Sequence, residues 1–224
     1  MDFVFEEMPS NSSLIKSIWR TESERQGAFI SSAVSHLEIV VTKRGGTRTL
    51  TLRGPETVAS QAPIPSDTNF VGITFELGSH LPALPSSRLV DGHVVFAPAS
   101  SASFWLGDTA LALPTFEDAD LFVEKLARLG FLKHEPLVKA TMNGHTSDLS
   151  LRSVQRRFLR ATGLTLASVR QIERARAARE LLIQGESIAE TLYQTGYSDQ
   201  PHMTRSFKLL IGMTPGEVAR PFNF

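Results

Sequence analysis

The feature that most constrains how this 224-residue chain can fold is a stretch near its C-terminus that repeats itself at an offset of 49 positions. Ser150, Arg156, Phe158, Gly163, Leu164, Thr165 and Val169 recur as Asp199, Arg205, Phe207, Gly212, Met213, Thr214 and Val218. Two copies of one small helical unit are therefore expected. Ser150 and Asp199 read as N-caps, because their side-chain oxygens can accept from the first free N–H groups of a helix. Pro201 falls just inside the second start, where its missing N–H costs nothing. Phe158 and Phe207 share an apolar face with Val154 and Met203, each four residues earlier. Gly163 and Gly212 end the two helices, since glycine tolerates the left-handed conformation common just past a C-terminus. The face away from each Phe carries Arg152, Gln155 and Arg156 in the first copy and Gln200, His202 and Arg205 in the second. Side chains of those types reach phosphates and base edges.

Between the copies, Thr165–Gln184 is rich in helix formers, places Val169, Ile172, Ala175, Ala178 and Leu182 on one side, and stops at Gly185. A helix of 20 residues is about 30 Å long, close to the roughly 34 Å turn of B-DNA. Such a connector can hold two helices near successive major-groove segments. Ser187–Tyr197 together with the capped helix after it reads as helix, turn, helix. In that reading Ala189 lets the helices approach, Gly196 makes the turn, and Ile188, Leu192, Tyr197 and Phe207 form the small core.

The rest of the chain has a different texture. His36–Thr42, Thr47–Leu52, Phe70–Leu77 and His93–Ala97 are strand candidates, with Gly45-Gly46 as a hairpin signal and turn-rich Gln61–Asn69 and Leu81–Ser87 as separators. A helix is expected from Thr115–Asp118 to Gly130, with Leu121, Phe122, Leu126 and Leu129 at helical spacing. The fold class is thus an α+β, β-rich N-terminal domain over 1–132, a small antiparallel sheet or a partly closed cupin-like barrel. An all-α domain over 133–224 follows, its two helix-turn-helix units joined by a long helix. Net charge is zero overall, but residues 146–224 carry 11 Lys+Arg against 7 Asp+Glu, while 1–145 carry 12 against 16. A basic domain beside an acidic one fits a nucleic-acid binder with a separate module. The absence of cysteine removes disulfides, thiolate zinc sites, Fe–S clusters and Cys nucleophiles. The N-terminus shows neither a secretory signal nor a spanning run, so the expected location is the cytoplasm, without membrane association.

The segments SLRSVQRRFLRATGLTLASVRQIERARAARELL and SIAETLYQTGYSDQPHMTRSFKLLIGMTPGEV together resemble the DNA-binding domain of AraC/XylS transcription regulators. In that family's C-terminal signature an aromatic follows the turn Gly, and an Arg-x-Phe-Lys run leads to Gly-x-x-Pro. The resemblance implies double-stranded DNA as partner, read by Arg152, Ser153, Gln155 and Arg156 from the first unit and Gln200, His202, Thr204 and Arg205 from the second. Arg156 or Arg205 would bind guanine bidentately and Gln155 or Gln200 adenine, whereas Arg157 and Lys208 would hold phosphates. It further implies control through residues 1–132 by a small-molecule effector or a homodimer, with RNA polymerase as a further partner. One departure is Asp148, where the family usually has Gly two residues before the Ser150 position. The strand containing HLEIVVT after Trp19, and the later VGITF, are faintly similar to a β-rich domain on some such regulators, which names no ligand.

Other chemistry finds less support. His36, His80 and His93 have no metal-ligand spacing and read as isolated residues. Trp19, Trp105 and Phe104 read as core rather than a ligand pocket, and Ser100–Ser103 lacks a G-x-S-x-G context. No catalytic residue, metal ligand or cofactor is expected. The alternatives are a hydrolase-like enzyme in the first 130 residues with accessory DNA binding, or a ligand-independent DNA binder. Methyl transfer to Cys is excluded.

Overall fold

The computed structural model describes residues 5–145 and 149–220. The first half runs through β1 (Glu6–Met8), β2 (Ile15–Ser23), β3 (Gly27–Ser31), β4 (Glu38–Arg44), β5 (Thr47–Arg53), β6 (Ser60–Ile64) and β7 (Thr68–Phe75). Then come β8 (Ser79–His80), β9 (His93–Val95), β10 (Pro98–Ser100), β11 (Ser103–Leu106), β12 (Thr109–Ala112), α1 (Ala119–Arg128) and β13 (Lys133–His134). The second half is helical: α2 (Pro136–Met142), α3 (Leu151–Thr162), α4 (Leu166–Ile183), α5 (Ile188–Thr195), α6 (Gln200–Leu210) and α7 (Pro215–Val218).

The main sheet has the order β1-β2-β7-β4-β5-β9 and its edges do not meet, so among the described residues it is an open antiparallel sheet rather than a closed barrel. Its register follows from side-chain alternation, which sends every second residue to one face. Ile18, Ile73, Ile39 and Leu52 stand opposite one another across β2, β7, β4 and β5, all buried. Phe104 and Leu111 of the β10–β11–β12 sheet and Phe122, Val123 and Leu126 of α1 join the same core. Each such side chain contributes roughly 1.5–3 kcal/mol on burial. Gly45 and Gly46 join β4 to β5 with φ of +55° and +82°, as a tight hairpin turn with two left-handed residues requires. On the other face, the Trp19 indole lies where a Gly72 side chain would be, 2.0 Å from the position of a Cβ. Its Nε1 donates to Glu38 Oε1 at 2.9 Å and Thr74 Oγ1 donates to the same oxygen at 3.0 Å.

Several expectations about this half need correction. Gln61–Asn69 is not merely a separator, because β6 pairs with β3 in a two-stranded ribbon and β7 begins at Thr68. Pro63 is compatible with β6 because this strand bonds on one edge only. Thr115 and Asp118 do exchange backbone and side-chain hydrogen bonds, yet they form a turn and the helix starts at Ala119. Leu121 and Leu129, counted above on the apolar face of that helix, are exposed; Phe122, Val123 and Leu126 face the core. Phe104 is core, whereas Trp105 is 44% exposed. Trp19 is half-buried and stacks on Phe5 with ring centroids 5.6 Å apart.

The helical half has its own core, in which Phe158, Phe207, Met203, Ile172 and Leu182 meet, joined by Ala33 from the first half. All five apolar residues expected on the inner side of the connector, Val169, Ile172, Ala175, Ala178 and Leu182, are buried in α4. At 18 residues α4 is about 27 Å long. Ala189 is exposed and so is not where the helices approach; Thr191, fully buried on α5, occupies the inner face instead. Asp148, the one departure from the family pattern, lies outside the described residues.

Candidate nucleic-acid interface

Helices α3 and α6 begin and end alike. Ser150 Oγ accepts from the Ser153 N–H at 3.3 Å, and Asp199 Oδ1 accepts from the His202 N–H at 2.7 Å, the same cap three residues into each helix. The His202 N–H, with the Ser198 hydroxyl and the nearby Arg205 and His202 charges, holds the Asp199 carboxyl below the usual carboxylate range. Both helices are followed by a left-handed glycine, Gly163 at φ +74° and Gly212 at φ +79°.

With about 3.6 residues per turn, positions i, i+3, i+4 and i+7 share one face. On α3 that face is Arg152, Gln155, Arg156 and Leu159, all exposed; on α6 the matching positions are Pro201, Thr204, Arg205 and Lys208, of which only Thr204 is half-buried. It lies opposite Phe158 and Phe207, which are buried and two residues beyond Arg156 and Arg205. Arg152, Arg156, Arg205 and Lys208 have no hydrogen-bond or ion-pair partner among the described residues. The copies differ in where their second cation sits: Arg152 near the start of α3 corresponds to Pro201, and Lys208 near the end of α6 corresponds to Leu159.

The remaining residues of the expected set are placed differently. Gln200 is exposed in the first turn of α6. Ser153 is half-buried and its hydroxyl accepts from Ser150 Oγ at 3.0 Å, so it helps build the cap. His202, its counterpart 49 residues on, lies with Nδ1 at 3.0 Å from Ser198 Oγ and its ring edge-on to Tyr197 at 5.2 Å. Tyr197 meets the Ser206 hydroxyl at 2.9 Å and carries the Arg174 guanidinium over its ring at 5.6 Å, which ties the second unit to α4. Arg157, expected at phosphate, is held by both oxygens of Glu135 at 2.9 and 2.7 Å. Glu135 also accepts from the Leu137 N–H as N-cap of α2. Partial burial works to raise the Glu135 pKa, but the Arg157 hydrogen bond, the Leu137 N–H and the guanidinium charge outweigh it and keep the carboxyl low.

A cleft of about 430 Å³ lies between the 81–87 turn and the outer side of α3, where Leu81, Leu84 and Leu159 meet Arg156 and Arg160. Sequence reasoning missed this juxtaposition, because nothing in the 81–87 segment marks it as a partner of α3. The histidines are dispersed: His36 is buried near Lys16 and Arg176, His80 sits beside the Gly78 carbonyl, and His93 lies on the edge strand β9. Among the described residues no three His, Cys, Asp or Glu side chains converge as a metal site. No helix there is long and apolar enough to cross a membrane.

Comparison with known proteins bears on the same region. A family model described as a helix-turn-helix domain matches residues 146–221. The chain is 35% identical over 136 residues to the HTH-type transcriptional regulator GlxA of Rhizobium meliloti (strain 1021), covering 59% of this chain and 40% of that one. It is 32% identical over 74 residues to the HTH-type transcriptional regulator RipA of Corynebacterium diphtheriae, covering 33% and 22%. The chain thus spans less than half the length of these curated relatives. Among solved structures, ToxT from Vibrio cholerae aligns at 12% identity with a TM-score of 0.39, over 96% of this chain and 97% of that one. An apo ToxT K231A structure aligns at 12% identity and a TM-score of 0.44, over 95% and 98%.

Proposed function

Taking residues 146–221 as a helix-turn-helix domain of the AraC type, we propose that this chain is a sequence-specific DNA-binding transcription regulator. Helices α3 and α6 enter consecutive major-groove segments of one duplex. The observation that carries this reading is the exposed, unpaired arginine that recurs at one repeat position, Arg156 and Arg205, on two helices capped in the same way, each with a second free cation, Arg152 or Lys208, on the same face. Guanidinium groups there are free for guanine O6/N7, and amide side chains for adenine N6/N7. Exposed Lys and Arg around them supply the salt-dependent phosphate attraction that dominates affinity. Residues 1–132 then act as the regulatory part and 133–224 as the reader.

Control by a small molecule is the form of regulation that a specific observation favours. The cleft beside α3 gives a ligand a position that touches both the first half and Arg156, so occupancy would alter the DNA-reading face directly. Self-association through residues 1–132 and contact with RNA polymerase belong to the same reading. Selection of bound duplexes from a random pool, followed by footprinting, tests it. Two short motifs about one helical turn apart are the expected product, and failure to enrich any sequence overturns the assignment.

A further inference from the structure

We infer that the first half of the chain, gripping both recognition helices at repeat-equivalent positions, sets which spacing between the two DNA submotifs the protein accepts. The inference rests on the reading of α3 and α6 as recognition helices. The last four carbonyls of a helix have no partner within it, and here the first half supplies partners at both helix ends. At α3, Ser86 Oγ donates to the Ala161 carbonyl at 3.0 Å in a buried hydrogen bond. At α6, the Ala33 N–H donates to the Leu210 carbonyl at 2.7 Å, the Ala59 N–H to Leu209 at 2.8 Å, and Ser32 Oγ to Ile211 at 3.4 Å. Ala161 and Leu210 are the same position in the 49-residue repeat.

The glycine that follows each helix shows how close the grip is. A Cβ on Gly163 would stand 2.6 Å from the Ser86 carbonyl oxygen, and one on Gly212 would stand 2.5 Å from Ile30 Cγ2. Backbone of the first half therefore closes the Gly163 position to any side chain, and at Gly212 a side chain would have to displace Ile30, in addition to the left-handed backbone at both.

The two grips hold different bodies. The second unit is built onto α4, which packs against α5, α6 and α7 and carries Arg174 over Tyr197. Helix α3 leans instead on α2, β8 and the Ser86–Arg88 turn, and touches α4 less than it touches that turn. Arg157–Glu135 reinforces this mounting beside β13, which pairs with β8. The link from α3 to α4 is only Gly163–Thr165. Helix α4 is tied back by Ser35 Oγ donating to Glu173 Oε1 at 2.5 Å and Arg176 Nη1 donating to the Ala33 carbonyl at 3.4 Å. The relative position of α3 and α6 thus depends on the first half as well as on α4.

DNA makes such positioning a matter of specificity. Each inserted base pair moves the second submotif by about 3.4 Å and turns it by about 34°. The test uses the full chain and its selected bipartite duplex, with one, two or five base pairs inserted between submotifs. The variants are Ser86→Ala at the α3 grip, and Ile30→Ala with Ser32→Ala, or Ala59→Pro, at the α6 grip. Circular dichroism and thermal melting establish that each variant folds.

For the wild type, one inserted base pair should weaken binding on the order of tenfold, the size of a lost base contact. In the grip variants the ratio of parent to inserted affinity should fall at least about threefold towards unity, while binding to the parent site changes less. A ratio unchanged in every folded variant overturns the inference, as does a wild type indifferent to spacing, and either leaves the DNA-binding reading standing. A wild type that binds no duplex selectively removes that reading itself.

Discussion

Arg156 and Arg205 occupy the same place on two capped helices, exposed and without a hydrogen-bond or ion-pair partner among the described residues. A surface arginine is ordinarily a solvated side chain; what separates these two is recurrence at one repeat position opposite a buried Phe. Arg205→Ala is expected to cost on the order of 1–3 kcal/mol against the preferred duplex and to relax specificity at one base position. Fluorescence anisotropy on preferred and scrambled duplexes measures it, and equal weakening on both would reduce Arg205 to a phosphate contact. Arg156→Ala should do the same for the first submotif; unchanged binding there would mean that the second unit alone specifies DNA. Identity and exposure of these residues were legible in the sequence because the repeat aligned them. Arg157 was not, since its partner Glu135 lies 22 residues away, across a turn and another helix.

At the scale of elements, helix boundaries were the most legible feature, because caps and glycine stops are local chemistry. Ser150, Thr165, Ser187, Asp199 and Thr214 all accept from a backbone N–H three residues on. Ser150→Ala should therefore destabilise the protein by about 1 kcal/mol and weaken binding to the first submotif. Chemical denaturation checks the first part, and an unchanged midpoint would remove the cap from the account. Gly212 and Gly185 provide a sharper comparison. Both have positive φ, but a Cβ on Gly185 meets open space and one on Gly212 meets Ile30. Gly185→Ala should cost only the left-handed backbone penalty of roughly 1–2 kcal/mol, and Gly212→Ala more. Equal losses in urea unfolding would show that the contact with Ile30 is not tight. Strands were less legible. β4, β5, β7 and β9 alternate or run apolar, whereas β3, β6 and the two-residue β8 and β13 are defined by their partners rather than by any pattern of their own.

For the whole molecule, the junction between the halves carries a pH signature. Loss of water contact on burial, reinforced by Lys16 and Arg176, pushes the His36 imidazole down to about 3. In the unfolded chain it takes a proton near 6.5, so between those values the unfolded state binds more protons and stability falls as pH falls. Burial raises Glu38, which acts in the opposite sense, stabilising the fold as pH drops into its raised range. Comparing the wild type with His36→Gln removes the Glu38 contribution. Relative to that variant, the wild type should lose roughly 1 kcal/mol per pH unit between pH 6 and 4.5. Parallel stability curves from urea titrations would count against a neutral, buried His36.

The sequence by itself determined that two capped helices with an arginine at matched positions exist, and that a helical connector of about 30 Å joins them, about 27 Å in the structure. Caps, glycine stops and 3.6-residue periodicity act within a few residues, so they survive in a linear reading. Only the tertiary structure decided what those helices rest on. The grips by Ala33 and Ala59 use backbone N–H groups, which every residue except proline possesses, that by Ser86 uses a hydroxyl common to many turns, and all three end on helix carbonyls, so none leaves a mark of identity. Their partners lie more than 70 residues away in sequence, in turns and a short ribbon with no periodicity. Repeat chemistry is local and legible; the spacing between the repeats is set by distant donors meeting helix-end carbonyls across the fold.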